Sequence, residues 1–269
     1  LSNTVKKITI LSGEILYKDS NVIIIYKPEG LLSVSFSGSR GKTAQGIIEQ
    51  ILRKTGEYSA KYRPLVVHRL DRETSGLMMF ATNERAQKVI MDKWHSMVTS
   101  RKYIALSENP SNFKKYGILP DAGIINDNIA YNAYNIGYVP EKNNLKKDFL
   151  KISKDEKKHK TNFYSEKILD NQRKRPIKEI SARTHFKVLH RWDKFTLFEL
   201  ELDTGRKNQI RAHLASKGYP LVGDFNYRAK SDLFGRLCLH AKSLEYIDPW
   251  TNEEKKFLYD PPKEWLLSN

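Results

Sequence analysis

Cysteine is nearly absent from this sequence, and long apolar segments are absent as well. Cys238 is the only cysteine among 269 residues, which excludes an internal disulfide and a cysteine-rich metal site. The first residues lack the continuous apolar segment of a secretion signal, and no later run reaches the roughly 20 residues that a membrane helix needs. We therefore predict a protein of a reducing compartment, the cytoplasm, that does not cross a membrane.

Acidic residues are scarce beside the basic ones. Lys and Arg number 47 against 31 Asp and Glu, which gives a formal charge of +16 and a pI near 9.6. Such an excess favours an acidic partner, and nucleic acid is the commonest one because Lys and Arg release the counterions condensed on phosphates. The alternative is a lysine-rich surface with no such partner.

Glycine-rich nucleotide-binding loops and internal repeats are also missing, and the apolar pattern instead alternates between short strands and helices. Thr43 is suited to cap the first turn of one amphipathic helix, and a second helix opens near Asn83. We predict strands at 22–26, 77–81, 102–106, 182–189, 195–202, 237–246 and 256–259, and helices at 44–52, from 83 to 97, and from 210 to just before Gly218.

The pattern fades between about 107 and 179, where Asn, Lys and Tyr dominate. We expect a polar insertion or a mobile connection there, and the two alternatives for an insertion are a substrate-binding segment and a merely disordered one. The remainder predicts a single α+β domain, spanning 1–269, with a mixed, mostly antiparallel central sheet, flanking helices and a cleft across the sheet.

Two polar clusters could carry chemistry. His68–Gly76 reads HRLDRETSG and lies in a loop between two apolar segments, and 204–214 reads TGRKNQIRAHL at a helix start. Taken alone, the first cluster is typical of a solvated turn and the second of a basic amphipathic helix.

Several longer segments, in their order and spacing, resemble the RluA-type family of RNA pseudouridine synthases. The signature loop is HRLDRETSGLMMFA. The resemblance extends to ILYKDSNVIIIYKPEGLLSV, RKYIAL, ELDTGRKNQIRAHLASKGYPLVGDFNY and RLCLHAKSLEYIDP, and it covers most of the chain outside the weakly patterned middle. It implies the fold of a pseudouridine synthase catalytic domain and the isomerisation of uridine in RNA.

The resemblance implies that Asp71 is the catalytic nucleophile or base. A carboxylate in a water-poor pocket needs a fixed cation to remain ionised, and the family pattern assigns that role to Arg211, with Arg206 as the runner-up. Tyr103 matches an active-site tyrosine whose ring stacks on uracil and whose hydroxyl assists removal of the C5 proton. Leu239 is predicted to form an apolar wall of the pocket, and the alternative that it packs in the hydrophobic core has nearly the same support.

Other residues are predicted to bind substrate. Arg69 either fills the gap left by an extruded nucleotide or contacts a phosphate, and the two readings stand equal. His68 is expected to order the loop, and Lys207 and Gln209 lie at a helix start that attracts anions. Asn208 departs from the family pattern, which commonly has His there, so no specific role follows for it. Further candidates for phosphate contacts are Lys27, Arg228 and Arg236. Each of them is equally consistent with an ordinary solvated surface charge.

The predicted substrate is structured RNA, ribosomal RNA first and transfer RNA next, and the reaction implies no metal or cofactor. We expect a monomer without an obligate protein partner and see no accessory RNA-binding domain ahead of the catalytic one. Two alternatives stay open. One is a catalytically silent RNA-binding or ribosome-assembly factor, and the other is a carboxylate-dependent N-glycosidase, for which Glu73 is the only nearby second acid.

Overall fold

A computed structural model describes residues 14–35, 41–140 and 178–266. Within these ranges, ten strands join in one sheet and two very short strands, β7 and β8, form a separate hairpin. The strands are β1 (Glu14–Lys18), β2 (Val22–Lys27), β3 (Leu65–Val66), β4 (Ser75–Ala81), β5 (Val98–Glu108), β6 (Ala122–Ile125), β7 (Ala130–Tyr131), β8 (Gly137–Tyr138), β9 (Thr184–Arg191), β10 (Phe195–Leu202), β11 (Leu239–Ile247) and β12 (Glu254–Leu258). The helices are α1 (Ala44–Lys54), α2 (Glu84–Met97), the short α3 (Phe113–Tyr116) and α4 (Gln209–Ser216), with 3₁₀ turns at Phe225–Tyr227 and Lys263–Trp265.

The large sheet runs in the order β1-β2-β4-β11-β5-β10-β9-β6, with β3 on β4 and β12 on β11. Every pairing is antiparallel except that of β4 with β11. The predicted mixed, mostly antiparallel sheet is therefore confirmed. The predicted hairpin of 182–189 with 195–202 is confirmed too, since β9 and β10 pair antiparallel through the turn that contains Trp192 and Asp193.

Helices α1 and α2 pack on opposite faces of the sheet. Ile23 and Ile25 of β2 belong to the core beneath α1, whereas Val22 and Ile24 belong to the core beneath α2. This two-sided burial explains why β2 and β4 are apolar almost throughout instead of alternating. Thr43 caps α1 as predicted, and Asn83 caps α2; each side chain accepts a hydrogen bond from a backbone N–H of the first turn.

The parallel pair leaves no room for a side chain at Gly76. Its φ is 120°, and a Cβ added there would lie 2.3 Å from the Ala241 carbonyl oxygen. Because only glycine tolerates both the conformation and the contact, β4 can approach β11 directly after the polar loop at 68–74.

The weakly patterned segment predicted at about 107–179 is described only in part. Its first half, up to residue 140, contains α3, β6 and the β7–β8 hairpin, and β6 pairs with β9 at the edge of the sheet. The rest of the predicted insertion, at 141–177, lies outside the described residues. No helix among the described residues has the length and apolar character needed to cross a membrane.

Candidate active site

A cleft of about 820 Å³ lies over the middle of the sheet. It is lined by the loop at 68–74, by residues 205–211 at the start of α4, and by side chains that include Trp94, Arg101, Tyr103 and Leu239. Tyr103 lies on β5 and Leu239 on β11, the paired strands at the centre of the sheet. The structure thus brings Asp71, Tyr103 and Arg211, predicted from distant parts of the sequence, into one cavity.

The loop that carries Asp71 is held by hydrogen bonds from both sides. Ser33 Oγ donates to the carbonyl of Leu70 at 2.7 Å and accepts from the N–H of the same residue at 3.2 Å. Leu70 is buried in the core under α1, and the N–H of Thr74 closes a turn on the Asp71 carbonyl. These contacts fix the backbone of the loop, and Asp71 is left part-exposed at the cleft.

Lys27 is not a phosphate contact or a solvated charge, as the sequence suggested, but a buried support of this loop. Its side chain is fully buried at the end of β2, and Nζ donates to the carbonyls of Pro28, Leu31 and Arg72 at 2.8, 2.8 and 3.2 Å. Burial lowers the pKa of Lys27 to about 8, against the opposing attraction of Glu73 and other nearby carboxylates.

Arg236 is likewise turned into the protein. Its guanidinium lies 2.8 Å from a Glu29 oxygen and donates to Ser75 Oγ at 2.6 Å. Its side chain is only 12% exposed, so the predicted phosphate contact at Arg236 is wrong. Arg228 is exposed, at the end of the 3₁₀ turn, and its phosphate contact stays a prediction.

The carboxylate of Asp71 has two partners on the same oxygen. Asn208 Nδ2 donates to Oδ2 at 2.7 Å, and Arg211 Nη1 lies 3.8 Å from Oδ2. Glu73 extends its own carboxylate to within 3.9 Å of the same Nη1. Arg211, not the runner-up Arg206, is therefore the cation beside Asp71.

Arg211 is held by a buried acid that the sequence reading did not single out. Asp224 accepts from Nε and Nη2 of Arg211 at 2.7 Å each, and its side chain is 1% exposed. Burial alone lowers the pKa of Arg211, but the hydrogen bonds and charge of Asp224 outweigh it and raise that pKa above its ordinary value. The guanidinium is thus a permanent cation of fixed orientation.

The sequence does contain a signal for the burial of Asp224, because this single acid follows closely on the apolar residues Leu221 and Val222. The ring of Tyr227, three residues on, lies 5.1 Å from the Arg211 guanidinium. Arg101 was missed as well. It lines the cleft, with its guanidinium 5.5 Å from the ring of Trp94.

Tyr103 is 7% exposed, and its pKa is raised by burial, with Asp71 adding to the shift and Arg101 opposing it. The hydroxyl therefore stays protonated at neutral pH and is able to donate a hydrogen bond. Leu239 is 4% exposed and both lines the cleft and belongs to the core, so its two predicted roles coexist.

The remaining predicted substrate contacts differ in their exposure and in the number of their hydrogen bonds. Arg69, Arg206 and Lys207 are exposed at the cleft, and Arg206 also donates to the Ser181 carbonyl at 3.1 Å. Gln209 is 2% exposed. Its amide is engaged by Thr204, Arg206, Arg183 and Thr184, so its observed contacts hold the start of α4.

His68 shows the ordering contact expected of it. Its Nε2 accepts the N–H of Met79 at 2.9 Å, which places the ring proton on Nδ1, and burial lowers its pKa to about 3. The ring also packs against Trp94. The imidazole is therefore neutral and fixed between the loop and α2.

Within the described residues, no group of three His, Cys, Asp or Glu side chains is arranged to hold a metal ion. A family model described as RNA pseudouridylate synthase matches residues 21–216, about three quarters of the sequence and the part that contains Asp71, Tyr103 and Arg211. This chain belongs to the RNA pseudouridylate synthase family. The resemblance drawn from the sequence motifs is thereby confirmed.

Curated relatives agree with this family assignment. The chain is 31% identical over 242 residues to an uncharacterized RNA pseudouridine synthase of Bacillus subtilis, YhcT, covering 89% of the chain and 66% of the relative. It is 28% identical over 257 residues to the ribosomal large subunit pseudouridine synthase D of Borreliella burgdorferi, covering 94% of the chain and 66% of the relative. The chain thus spans about two thirds of the length of these relatives.

The fold also matches a solved structure, human RNA pseudouridylate synthase domain containing 4. The TM-score is 0.63 at 19% identity, and the match covers 94% of this chain and 90% of the human one. At that identity the likeness supports the fold alone.

Proposed function

We propose that this chain is an RluA-type RNA pseudouridine synthase that isomerises specific uridines in structured RNA, with Asp71 as the nucleophile or base. The observation that carries the proposal is the carboxylate of Asp71 standing in a cleft beside a permanent cation, Arg211. Asp224 fixes that cation from behind, so the site can keep a carboxylate ionised while a bound base excludes water.

The chemistry fits a site built from these side chains alone. The C1′–N1 bond breaks, the uracil turns while bound, and its C5 bonds to the same C1′. C5 then loses a proton and N1 gains one, so no atom is added and nothing is oxidised or reduced. Asp71 either attacks the sugar or removes a sugar proton, and it is regenerated in both cases.

Tyr103 supports the later steps. Its ring lies at the cleft and can stack on uracil, while its neutral hydroxyl can assist the transfer of the C5 proton. The cleft volume of about 820 Å³ falls within the range of small-molecule sites, enough for one extruded nucleotide.

Ribosomal RNA is the proposed first substrate, since relatives are named for the large ribosomal subunit, and transfer RNA is the second. The charge of +16 supports binding to either. We further propose one catalytic domain that acts in the cytoplasm as a monomer without a protein partner.

The test is to incubate the purified chain with unmodified total RNA and to map new pseudouridines by carbodiimide-dependent stops of reverse transcription. Asp71→Asn serves as the control because it keeps the size of the side chain but removes its charge. We expect stops at one or a few sites with the wild-type chain and none with the variant, while both bind RNA equally. Full activity of Asp71→Asn would contradict the assignment of Asp71.

Product analysis separates two other functions. Glu73 and Asp71 both lie within 4 Å of the same Arg211 nitrogen, an arrangement that an N-glycosidase with two acids could use. Release of free uracil without pseudouridine would support that function. Tight RNA binding without any product would support a silent RNA-binding or ribosome-assembly factor.

A further inference from the structure

Asn208 lies where the sequence departs from the resembled family, and its amide joins two parts of the site. It precedes α4 with φ 57° and ψ 19°, a left-handed conformation that asparagine tolerates better than most residues. It is 9% exposed and makes no capping bond to its own helix. The side chain is thus free to bond elsewhere.

The orientation of the amide follows from chemistry. The N–H of Gly137 lies 3.3 Å from one end of the Asn208 amide, and a backbone N–H can only donate. That end must be Oδ1, so the end that faces Asp71 Oδ2 at 2.7 Å is the donating NH₂ group. Asp71 therefore accepts a direct hydrogen bond from Asn208.

The β7–β8 hairpin supports this arrangement. A Cβ at Gly137 would lie 2.8 Å from the Lys207 carbonyl oxygen, so the hairpin packs closely on the backbone that leads into Asn208. The hydroxyl of Tyr227, whose ring faces Arg211, also donates to the Gly137 carbonyl. The hairpin is thus hydrogen-bonded to Asn208 and to Tyr227, the residue whose ring faces Arg211.

Both partners of Asp71 act on Oδ2, and no hydrogen bond among the described residues falls on Oδ1. Arg211 at 3.8 Å is beyond hydrogen-bonding distance of the carboxylate. Asn208 is therefore the group that sets the rotation of the carboxylate, and it leaves Oδ1 for the substrate.

We propose that Asn208 is a positioning residue, which holds the ionised carboxylate of Asp71 in its reactive orientation through an uncharged donor anchored on the β7–β8 hairpin. The catalytic consequence rests on the proposed function, whereas the hydrogen bond itself does not. Because an amide does not titrate, this donor is unchanged from acid to alkaline pH. The titratable groups that face Asp71 are Lys27, Glu73, Tyr103, Tyr131, Arg211, Asp224 and Tyr227.

The test variant is Asn208→Gly, because glycine adopts the left-handed conformation freely and the change removes only the amide. The matched control is Asn252→Gly, since Asn252 has φ 59° and lies in the exposed turn between β11 and β12. We expect kcat on RNA to fall ~10- to 100-fold in Asn208→Gly from misplacement of the carboxylate. The RNA dissociation constant of Asn208→Gly should stay within about twofold of the wild-type value, and so should both kcat and the dissociation constant of Asn252→Gly.

The second readout does not depend on catalysis. With ¹³C-labelled aspartate, the titration of the Asp71 carboxyl is followed by NMR and assigned by its loss in Asp71→Asn. Loss of a hydrogen bond to the charged form should move this titration to higher pH in Asn208→Gly. The acid limb of the pH–kcat profile should move in the same direction.

Asn208→Asp provides a second variant in case the glycine variant folds poorly. It can still accept from the Gly137 N–H but presents a like charge to Asp71, so kcat should fall at neutral pH and recover partly in acid, where the pair shares a proton. An unchanged midpoint and kcat in Asn208→Gly, or an unshifted pH profile in Asn208→Asp, would overturn the proposal. A wild-type chain without activity would contradict the proposed function alone, and the carboxyl titration would still decide the role of Asn208.

Discussion

Arg211 and Asp224 are joined by two hydrogen bonds of 2.7 Å, and both side chains are almost completely buried. The third nitrogen of the guanidinium, Nη1, lies 3.8 Å from Asp71. A buried acid therefore fixes the cation that stands beside the predicted catalytic carboxylate. Two of the three guanidinium nitrogens are held by Asp224, and only Nη1 faces the cleft carboxylates.

Asp224→Asn should damage both stability and turnover. It leaves a buried guanidinium without its counter-charge, and breaking such a pair costs about 3–5 kcal/mol. The freed guanidinium should also move toward Asp71 and Glu73, so we expect kcat to fall further than the RNA affinity. Urea unfolding and single-turnover kinetics on the mapped RNA check the two effects.

Asp92→Asn is the control for this change. Asp92 forms an exposed pair with Lys88 on α2, and solvent screens such surface pairs so that they contribute little to stability. If Asp224→Asn proved as mild as Asp92→Asn in both measurements, the buried pair would have no part in holding Arg211.

Tyr103→Phe should separate the hydroxyl of Tyr103 from its ring. Because burial raises the pKa of Tyr103, the hydroxyl is a neutral donor, and its loss should lower kcat ~10²- to 10⁴-fold if it assists proton transfer. The ring remains, so RNA affinity should change little. Single-turnover rates and filter-binding isotherms give the two quantities.

Tyr246→Phe is matched to it on the neighbouring strand. The hydroxyl of Tyr246 is buried without a hydrogen-bond partner among the described residues, so its removal should be neutral or stabilising and leave kcat unchanged. Equal activity of Tyr103→Phe and wild type would reduce Tyr103 to a wall of the cleft.

The sequence predicted the elements whose apolar residues repeat regularly. β10 was predicted with its observed ends because Phe195–Leu202 alternates over eight residues, and α1 and α2 because their caps precede a helical pattern. β7 and β8 have two residues each, too few for any periodicity to show, so the hairpin was not predicted. Short elements depend on the partners that the rest of the fold provides.

The sequence predicted those residues of the candidate site that belong to recognisable motifs. Asp71, Tyr103 and Arg211 were found through the family resemblance, and one cleft contains all three. Asn208 could not be found, because its bond spans 137 positions and depends on a left-handed backbone that the sequence does not reveal. Lys27 was misread because its burial comes from long-range packing rather than from its neighbours in sequence.

His240 should make the fold sensitive to acid. Its Nε2 donates to the Tyr259 carbonyl and its Nδ1 accepts from Ser75 Oγ, so the buried ring is neutral, and burial lowers its pKa to about 4. The unfolded chain takes up this proton as the pH falls below about 6.5, whereas the folded chain does so only near 4. The stabilisation is complete above about pH 6.5 and decreases by about 2 kcal/mol on reaching pH 5.

The measurement compares urea unfolding at pH 7 and pH 5 in wild type, His240→Asn and His190→Asn. The difference between the two pH values should shrink in His240→Asn and persist in His190→Asn, because His190 is an exposed residue of β9. His68, whose pKa burial lowers to about 3, should add to the acid sensitivity that remains. Equal pH dependence in all three proteins would show that His240 is not held neutral.

A substitution of Arg69 should distinguish its two predicted roles, filling the gap left by an extruded nucleotide and contacting a phosphate. It is exposed at the cleft beside Asp71, and no hydrogen bond or ion pair within the described residues holds its guanidinium. If Arg69 fills the gap left by the extruded base, Arg69→Ala should slow turnover on a folded RNA far more than on an unpaired fragment with the same target. If Arg69 contacts a phosphate, binding to both RNAs should weaken alike, and the salt dependence of the binding constant should decrease by about one unit of slope.

Arg85→Ala is the control, because Arg85 is exposed on α2 and does not line the cleft. It should leave turnover on both RNAs unchanged. A loss in Arg69→Ala that is confined to the folded RNA, with the salt slope preserved, would favour the gap-filling role. Equal weakening of binding to both RNAs would favour the phosphate contact. If Arg69→Ala matched Arg85→Ala in every measurement, Arg69 would not belong to the RNA-binding surface. The exposed cations at the cleft would then be Arg206 and Lys207, at the start of α4.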